Sequence, residues 1–436
     1  MKIRLSALTN LVATILLLAL LAPSHAAQAQ DETLPKGVGL YQFGYRSFAT
    51  QTDKFDENGN KVSLGEPFNQ EFSGANLQRG AGGPELKRLA DELARFDSNS
   101  NTDQSLLNQL NLGKMEGQVK ANIDAKILSL AFGATNRLTL FFGIPFVNAS
   151  VDTDISFTPG SNGAPFIKQR LGELAFDELK SGLDQAAAIN AETIKQSIEA
   201  KGYAPIDHWE YSGLGDIQAG GVWGVKSRLA RNLGSIFSYR MTANIPTGYE
   251  EKPDILTDVD IGSGSFGLNN EVMEKMILFR TLWIGAAGRY GYNFASTKTK
   301  RLPEAEEGVV AQDRTTNVSF SPGADMGADG MLGLTVGVIK ARYTLGVTTH
   351  EKDHYSGAMV GNYDKLSEGS DSYQSFHDAS LILQTADLYR KKSFPIPFIL
   401  ELNAHIPIEA RNSMDERYYM VSISSFFSTP MEKSAK

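Results

Sequence analysis

A stretch of regular alternation, Gln118-Val-Lys-Ala-Asn-Ile-Asp-Ala-Lys-Ile-Leu-Ser-Leu-Ala-Phe132, decides the fold of this chain. Its odd-numbered positions from Val119 to Ala131 are almost all apolar, and its even-numbered positions up to Lys126 are polar or charged. A period of two indicates a β-strand whose two faces meet different surroundings. Strands of soluble sheets usually have about 5–6 residues, whereas a tilted strand needs about 9–11 to cross a membrane. The length of this alternation therefore favours a membrane barrel over a soluble β-sandwich.

The same alternation recurs along the rest of the chain and predicts twelve strands. Aromatic residues such as Tyr41, Tyr290 and Tyr419 lie near strand ends, as in the aromatic girdles of outer-membrane barrels. The predicted strands cover residues 38–50, 115–132, 137–151, 212–225, 235–248, 264–276, 281–296, 317–337, 340–350, 372–387, 398–409 and 417–427. We therefore expect an all-β fold, an antiparallel transmembrane β-barrel of about twelve strands with both chain ends in the periplasm.

The first 29 residues are organised as a secretory signal peptide. Lys2 and Arg4 precede an apolar stretch from Leu11 to Ala22, after which small residues offer cleavage sites up to Ala29. The apolar stretch is too short to cross about 30 Å of hydrocarbon as a retained anchor. We expect residues 1–29 to be removed on export, and a barrel exported in this way belongs in the outer membrane of a Gram-negative bacterium.

The rest of the chain is expected to form one outer-membrane barrel domain with two long loops and a short tail. The expected bounds are 30–436 for the domain, about 51–114 and 152–211 for the loops, and 428–436 for the tail. Within the loops, apolar residues at helical spacing predict helices over 84–96 and 167–198. These two helix-containing loops are extracellular. The helices either pack on each other as a cap, which we favour, or fold inward and gate the barrel.

The composition excludes several classes of function. The 42 basic residues are outnumbered by 50 acidic ones, so no surplus of positive charge is present for nucleic-acid binding. The chain holds no cysteine, which removes disulfides, thiolate metal sites and thiol nucleophiles. No cofactor is expected. The expected partners are a small-molecule solute, outer-membrane lipid and the barrel-assembly machinery.

Charged residues on the polar faces of the strands are the candidate functional residues. In a soluble core such charges would be costly unless paired, whereas in a wet channel they are solvated and bias which solutes pass. The alternative is that they pair into a plug that seals a narrow barrel. The candidate pore-lining residues are Lys120, Asp124, Lys126, Asp216, Arg240, Arg289, Arg342, Asp378 and Glu401. The apolar candidates for the inward face are Leu128, Leu130, Phe132 and Trp283.

Two patterns suggest catalysis, and neither fits the mechanism it would serve. His350-Glu-Lys-Asp-His354 matches a zinc-protease motif, but it follows a strand, where the two imidazoles would stand about 13 Å apart rather than one helical turn. His377 and Asp378 are neighbours on one strand and face opposite sides, which does not build a hydrolase triad. We therefore expect no catalytic, cofactor-binding or metal-binding residue.

Three short runs occur in a fixed order along the chain. They are Ala131-Phe-Gly-Ala-Thr-Asn-Arg-Leu-Thr-Leu-Phe-Phe-Gly-Ile-Pro-Phe-Val147, Gly213-Leu-Gly-Asp-Ile-Gln-Ala-Gly-Gly-Val222 and Ala243-Asn-Ile-Pro-Thr-Gly248. Over about residues 114–427 the chain thereby resembles an outer-membrane barrel family that is named for the meta-cleavage pathway of phenol degradation. The resemblance implies passage of small, often aromatic or hydrophobic, compounds, and it carries over no catalytic residue.

These observations predict an outer-membrane channel for the passive passage of small solutes, among them aromatic or hydrophobic acids. Arg240, Arg289 and Arg342 would contact the carboxylate of such an acid, because guanidinium binds carboxylate in a planar fork. One alternative is a structural or adhesion barrel at the cell surface with a sealed lumen. The other is an outer-membrane hydrolase.

Overall fold

Twelve long strands form the main sheet of the protein, whose computed structural model describes residues 33–81, 84–99, 105–171, 182–184, 186–279, 281–304 and 309–428. The strands are Val38–Phe48 (β1), Asn111–Thr135 (β2), Leu138–Asn162 (β3), Ile217–Ala230 (β4), Leu233–Ile245 (β5), Gly267–Leu278 (β6), Leu282–Asn293 (β7), Asp325–Val336 (β8), Ile339–His350 (β9), Ser372–Gln384 (β10), Phe398–Arg411 (β11) and Tyr418–Ser428 (β12). Each pairs antiparallel with the next, and β1 pairs with both β2 and β12, which closes the sheet. The predicted twelve-stranded antiparallel barrel is confirmed.

One predicted strand divides at a proline. Pro322 interrupts the predicted strand 317–337, and a proline cannot donate to a strand ladder. Before it, Thr315–Ser321 joins a separate three-stranded sheet with Ser296–Arg301 and His354–Ser356. Only the residues after it, as β8, enter the barrel.

A second predicted strand, 212–225, divides at Gly215 and Asp216. His208–Leu214 pairs with the outer half of β3, and β4 then begins at Ile217 and pairs with the other half of the same strand. Asp216 leaves the ladder because its carboxylate binds backbone N–H groups of another loop. Two strands therefore share one edge of β3.

Shorter elements decorate the long connections. The helices are Gly74–Gln78 (α1), Pro84–Asn99 (α2), Leu106–Gln109 (α3), Ala164–Leu171 (α4), Ala191–Glu199 (α5) and Ala386–Arg390 (α6). The remaining short strands are Asp53–Phe55, Lys61–Ser63, Gln70–Ser73 and Ser413–Met414. Among the described residues, no helix is long and apolar enough to cross a membrane. The predicted signal peptide 1–29, residues 172–181 of the predicted second helix and the tail beyond Ser428 lie outside the described residues.

The outer surface of the barrel carries a belt of exposed apolar side chains. Such a belt is the feature that lets a barrel stand in lipid. Connections at one end are short, as at 136–137 and 231–232, and those at the other end are long, as at 246–266. By the usual orientation of outer-membrane barrels, the short turns mark the periplasmic end. Belt residues include Tyr41, Phe43, Leu140, Phe142, Tyr290, Tyr292, Leu345, Leu402 and Ile423.

The outer half of β2 presents its faces opposite to the prediction. Lys120, Asp124 and Lys126 lie on the outer surface, because Lys126 pairs with the exposed Tyr45 and its alternate neighbours share that face. Each of β2 and β3 has 25 residues, far more than a membrane crossing requires. Beyond the apolar belt water meets the outside of these strands, so their polar face points outward. The expectation that these three residues line a pore is therefore wrong.

The predicted apolar lumen candidates divide in the same way. Leu128 and Leu130 are about half exposed and lie on the outer face, and Phe132 shares that face by alternation, so all three belong to the lipid-facing side. Trp283 lies on the inward face of β7, where only 7% of it is exposed. The prediction was correct for the direction of Trp283 alone.

An apolar core fills the inside of the barrel's extracellular half. Leu89 and Leu93 of α2 and Ile194 of α5 belong to one buried cluster with the inward-facing Ile123 of β2 and Val151 of β3. The alternation of β2 is thus explained, because its apolar face covers these helices rather than lipid. The helices lie against the inner wall of the strands and so match the inward alternative more closely than a cap.

Candidate functional site

Five of the nine candidate residues face the barrel interior at the level of the membrane-crossing strands. They are Arg240 on β5, Arg289 on β7, Arg342 on β9, Asp378 on β10 and Glu401 on β11. Glu401 is only 1% exposed and Arg342 only 7%. That these residues line a conducting path stays a prediction.

A buried ion pair links β9 and β11 across β10. Arg342 donates from Nη2 to Glu401 Oε1 at 3.0 Å and to Ser380 Oγ at 3.1 Å. Asn403 donates to the same hydroxyl at 3.0 Å. Four side chains on three adjacent strands therefore form one hydrogen-bonded layer across this wall of the lumen.

Two further arginines also have acidic partners. Arg289 forms an ion pair with Asp329 of β8 at 2.8 Å, and Arg240 lies 3.8 Å from Glu271 of β6. A solute carboxylate would have to compete with these protein carboxylates for the guanidinium groups. The expected direct contact of an aromatic acid with these arginines is therefore less favoured than a contact with other cations of the interior.

A second layer contains residues that sequence reasoning did not connect. Asp378 accepts a hydrogen bond from His405 at 2.8 Å, and the His405 ring stacks on Tyr418 with centroids 4.7 Å apart. Arg46 lies over the other ring of this stack at 4.6 Å from the Tyr418 centroid. Alternation marks all four as inward, but their pairing joins the first strand to the last three and has no local signal.

Asp216 does not line the lumen but anchors a loop. Its carboxylate accepts the backbone N–H groups of Thr247 and Gly248, both at 3.0 Å. It also accepts the N–H of Ser263 at 2.7 Å and its hydroxyl at 2.8 Å. The carboxylate thereby ties together both ends of the connection between β5 and β6, which explains why this acidic residue follows a glycine turn.

That connection, residues 246–266, folds into the barrel and is called here the inward loop. Leu256, Val259 and Ile261 belong to the same apolar cluster as the loop helices. Its two ends touch, since a Cβ on Gly248 would lie 2.6 Å from the carbonyl oxygen of Ile261. The inward loop therefore occupies lumen space and narrows any passage past it.

Burial also perturbs an acid on the inward loop. Desolvation raises the pKa of Asp258 to about 7, and the nearby Asp260 adds to the rise. The hydrogen bonds from the Lys252 N–H at 2.7 Å and the Tyr249 hydroxyl at 2.8 Å oppose it. Asp260 itself forms an ion pair with the buried Lys298 at 3.1 Å. Near neutral pH, Asp258 is therefore divided between its acid and carboxylate forms.

We expect the stability of the inward loop to fall as the pH rises. The folded pKa of Asp258 lies above its unfolded value near 4, so its contribution is complete below about pH 4 and is lost as the pH rises through about 7. Between pH 5 and 8 the free energy of unfolding should fall by up to about 2 kcal/mol more in the wild type than in Asp258→Asn. Urea titrations at both pH values measure this difference, and equal pH slopes would contradict it.

The two catalytic patterns lie apart from any reactive arrangement. His350 ends β9 and pairs with Asp325 at 2.7 Å and Asp353 at 3.0 Å, while His354 begins a short strand. The motif is therefore not helical, as expected. His377 lies on the outer face against Tyr343, opposite Asp378. Within the described part of the chain, no group of three or more metal-ligating side chains is assembled.

The closed barrel, its apolar belt and its charged interior define the class of outer-membrane β-barrels. The fold is shared with a COG4313 outer membrane channel from Pseudomonas putida F1, at a TM-score of 0.50 and 12% identity over 91% of this chain and 98% of that chain. This likeness concerns the fold alone.

Two other solved structures are less similar. The TodX deltaS2S3 mutant monoaromatic hydrocarbon channel gives a TM-score of 0.33 at 9% identity, covering 93% of this chain and 95% of that one. The beta domain of the Bordetella autotransporter BrkA gives 0.33 at 5% identity, covering 90% and 100%. No protein-family model matches the sequence, and no curated protein matches it either. The resemblance to the phenol meta-pathway family is thus not confirmed.

Proposed function

We propose that this protein is an outer-membrane channel for the passive passage of small solutes, with aromatic or hydrophobic acids as the candidate substrates. The observation that carries the proposal is the row of charged side chains on the inward faces of a closed barrel. A lumen with charges of both signs is suited to hydrated or ionic solutes. The shared fold with a channel barrel supports the same function.

Conductance and selectivity test this function. The purified protein in planar bilayers should give discrete current steps. Arg240→Gln should shift the reversal potential in a salt gradient toward cations, with a roughly two-fold change in the permeability ratio, because Glu271 then keeps an uncompensated charge in the lumen.

The matched control is Lys126→Gln, which removes the same charge from the outer face of β2 and should leave selectivity unchanged. Equal shifts in the two variants would contradict passage through the lumen. Absence of current steps in the wild type would contradict the channel itself.

A sealed barrel with a structural or adhesive role at the cell surface is the second candidate. The specific observation in its favour is the near-complete shielding of the pair Arg342 and Glu401, whose side chains are 5% and 1% exposed. Paired charges of this kind fill space as well as line it. Folded protein that lacks conductance in bilayers would support this candidate.

A further inference from the structure

A cavity of about 710 Å³ lies inside the barrel at the periplasmic end, and we call it the vestibule. Its mouth is formed by short-turn and terminal residues such as Thr33, Arg390 and Ser428, and its inner end by Trp283 and Arg342. Cavities of roughly 300–1,000 Å³ are the usual size of small-molecule sites. Its volume is thus sufficient for a ligand of one or two rings.

Basic side chains line the vestibule from mouth to inner end. Lys226 is exposed at the mouth, Lys340 is half-buried, and Lys275 is 92% buried deeper inside. Arg342 and Arg390 complete the cationic lining, and they pair with Glu401 and Asp387. No acidic side chain is among the described residues that line the cavity. The arrangement concentrates positive charge where a solute would leave for the periplasm.

Apolar groups cover the rest of the vestibule wall. Leu34 and Ile399 belong to a small buried cluster against which Ile382 packs, and all three line the cavity. On the facing strands, Ile277 and Trp283 supply a further apolar surface. A ligand held here would therefore meet both cations and hydrocarbon.

The position of Trp283 is built into the strands around it. The indole lies over Gly333 of β8, where a Cβ would come within 2.0 Å of the ring. On its other side the Lys275 ammonium lies 4.0 Å from the ring centroid. Glycine at 333 and lysine at 275 thus hold an aromatic ring beside a cation, which is the contact that an aryl carboxylate needs twice, once for its ring and once for its charge.

We propose that the vestibule is a binding site for small amphipathic anions, aromatic carboxylates above all, with Lys226, Lys275 and Lys340 binding the charge and Trp283 and Ile277 the ring. The inference rests on the proposed channel function only in treating these anions as solutes in transit. It relocates acid recognition from the lumen arginines, which protein carboxylates hold, to the lysines at the periplasmic mouth.

Fluorescence of Trp283 reports binding without any need for transport. The chain has three tryptophans, so Trp209→Phe with Trp223→Phe leaves Trp283 as the single indole. Benzoate titrated into this folded protein in detergent should give a saturable change in emission. Benzamide, which has the ring without the charge, and acetate, which has the charge without the ring, should bind at least about ten-fold more weakly.

A pair of matched double variants tests the lysines. Lys226→Gln with Lys340→Gln should weaken benzoate about ten-fold and leave benzamide unchanged. Lys120→Gln with Lys126→Gln removes the same charge from the outer face and should change neither. Heat-modifiable migration in SDS verifies that each variant is folded.

The outcomes separate this site from the channel function. No saturable response to benzoate, equal affinity for benzoate and benzamide, or equal weakening in both double variants would overturn the site. Benzoate binding in a protein that gives no current steps would support the site and remove the channel. Current steps without benzoate binding would remove the site alone.

Discussion

Replacing Glu401 by leucine should lower the free energy of unfolding by about 3 kcal/mol or more. The substitution leaves the Arg342 guanidinium in the lumen without the carboxylate that now lies 3.0 Å away, where both side chains are at most 5% exposed. Breaking one half of a buried ion pair typically costs about 3–5 kcal/mol, since the remaining charge has lost its water as well as its partner. Urea unfolding in detergent, followed by the loss of heat-modifiable migration, measures the change.

The double variant Arg342→Met with Glu401→Leu is the matched control. It removes both charges together and should recover most of the lost stability, because well-packed apolar residues often replace a buried pair at little cost. A loss below about 1 kcal/mol in Glu401→Leu alone would be the value of a solvated pair. That result would show water at this level of the lumen and would count for the open channel against the sealed barrel.

Replacing Asp216 by alanine should release the inward loop and increase conductance. Four hydrogen bonds from Thr247, Gly248 and Ser263 end on this carboxylate. Bonds to a charged group contribute about 1.5–3 kcal/mol each and are not additive, so a total near 3 kcal/mol would shift the docking equilibrium by about a hundred-fold. Chymotrypsin should then cleave after Leu256, which is 3% exposed in the docked loop.

Asp124→Ala is the control for Asp216→Ala. Asp124 is also a strand-associated carboxylate, but it lies on the outer face of β2 and accepts one side-chain bond, from Asn148 at 3.1 Å. Its removal should alter neither cleavage nor conductance. An Asp216→Ala protein that resists cleavage at Leu256 and conducts like the wild type would show that apolar packing alone holds the inward loop.

The strands could be predicted because alternation is local. Each of β5, β7, β9 and β12 starts and ends within a few residues of its predicted range, and no distant partner was needed to recognise it. The direction of a face is a different matter, since it depends on what lies on each side. Ile123 points inward only because helices more than 25 residues away in the chain fill the barrel there.

The candidate site was predictable in part for the same reason. Arg240, Arg289 and Arg342 lie on strands that cross the apolar belt, where the rule that polar residues face inward holds. Their partners Glu271 and Asp329 have the matching alternation, but they lie in the two predicted strands with the weakest patterns. The four bonds to Asp216 join residues up to 47 positions apart, and no spacing rule indicates such contacts.

The unequal lengths of the strands also set an order of assembly. The 25-residue strands β2 and β3 meet through a two-residue turn, so their ladder can extend outward from residues that are close in the chain. The joint between β1 and β12 instead brings together Gln42 and Ser422, which are 380 positions apart. Loop-closure entropy grows with separation, and contacts between distant residues form late. We expect the long hairpin to form first and the edges of β1 and β12 to stay unpaired until the last step of folding.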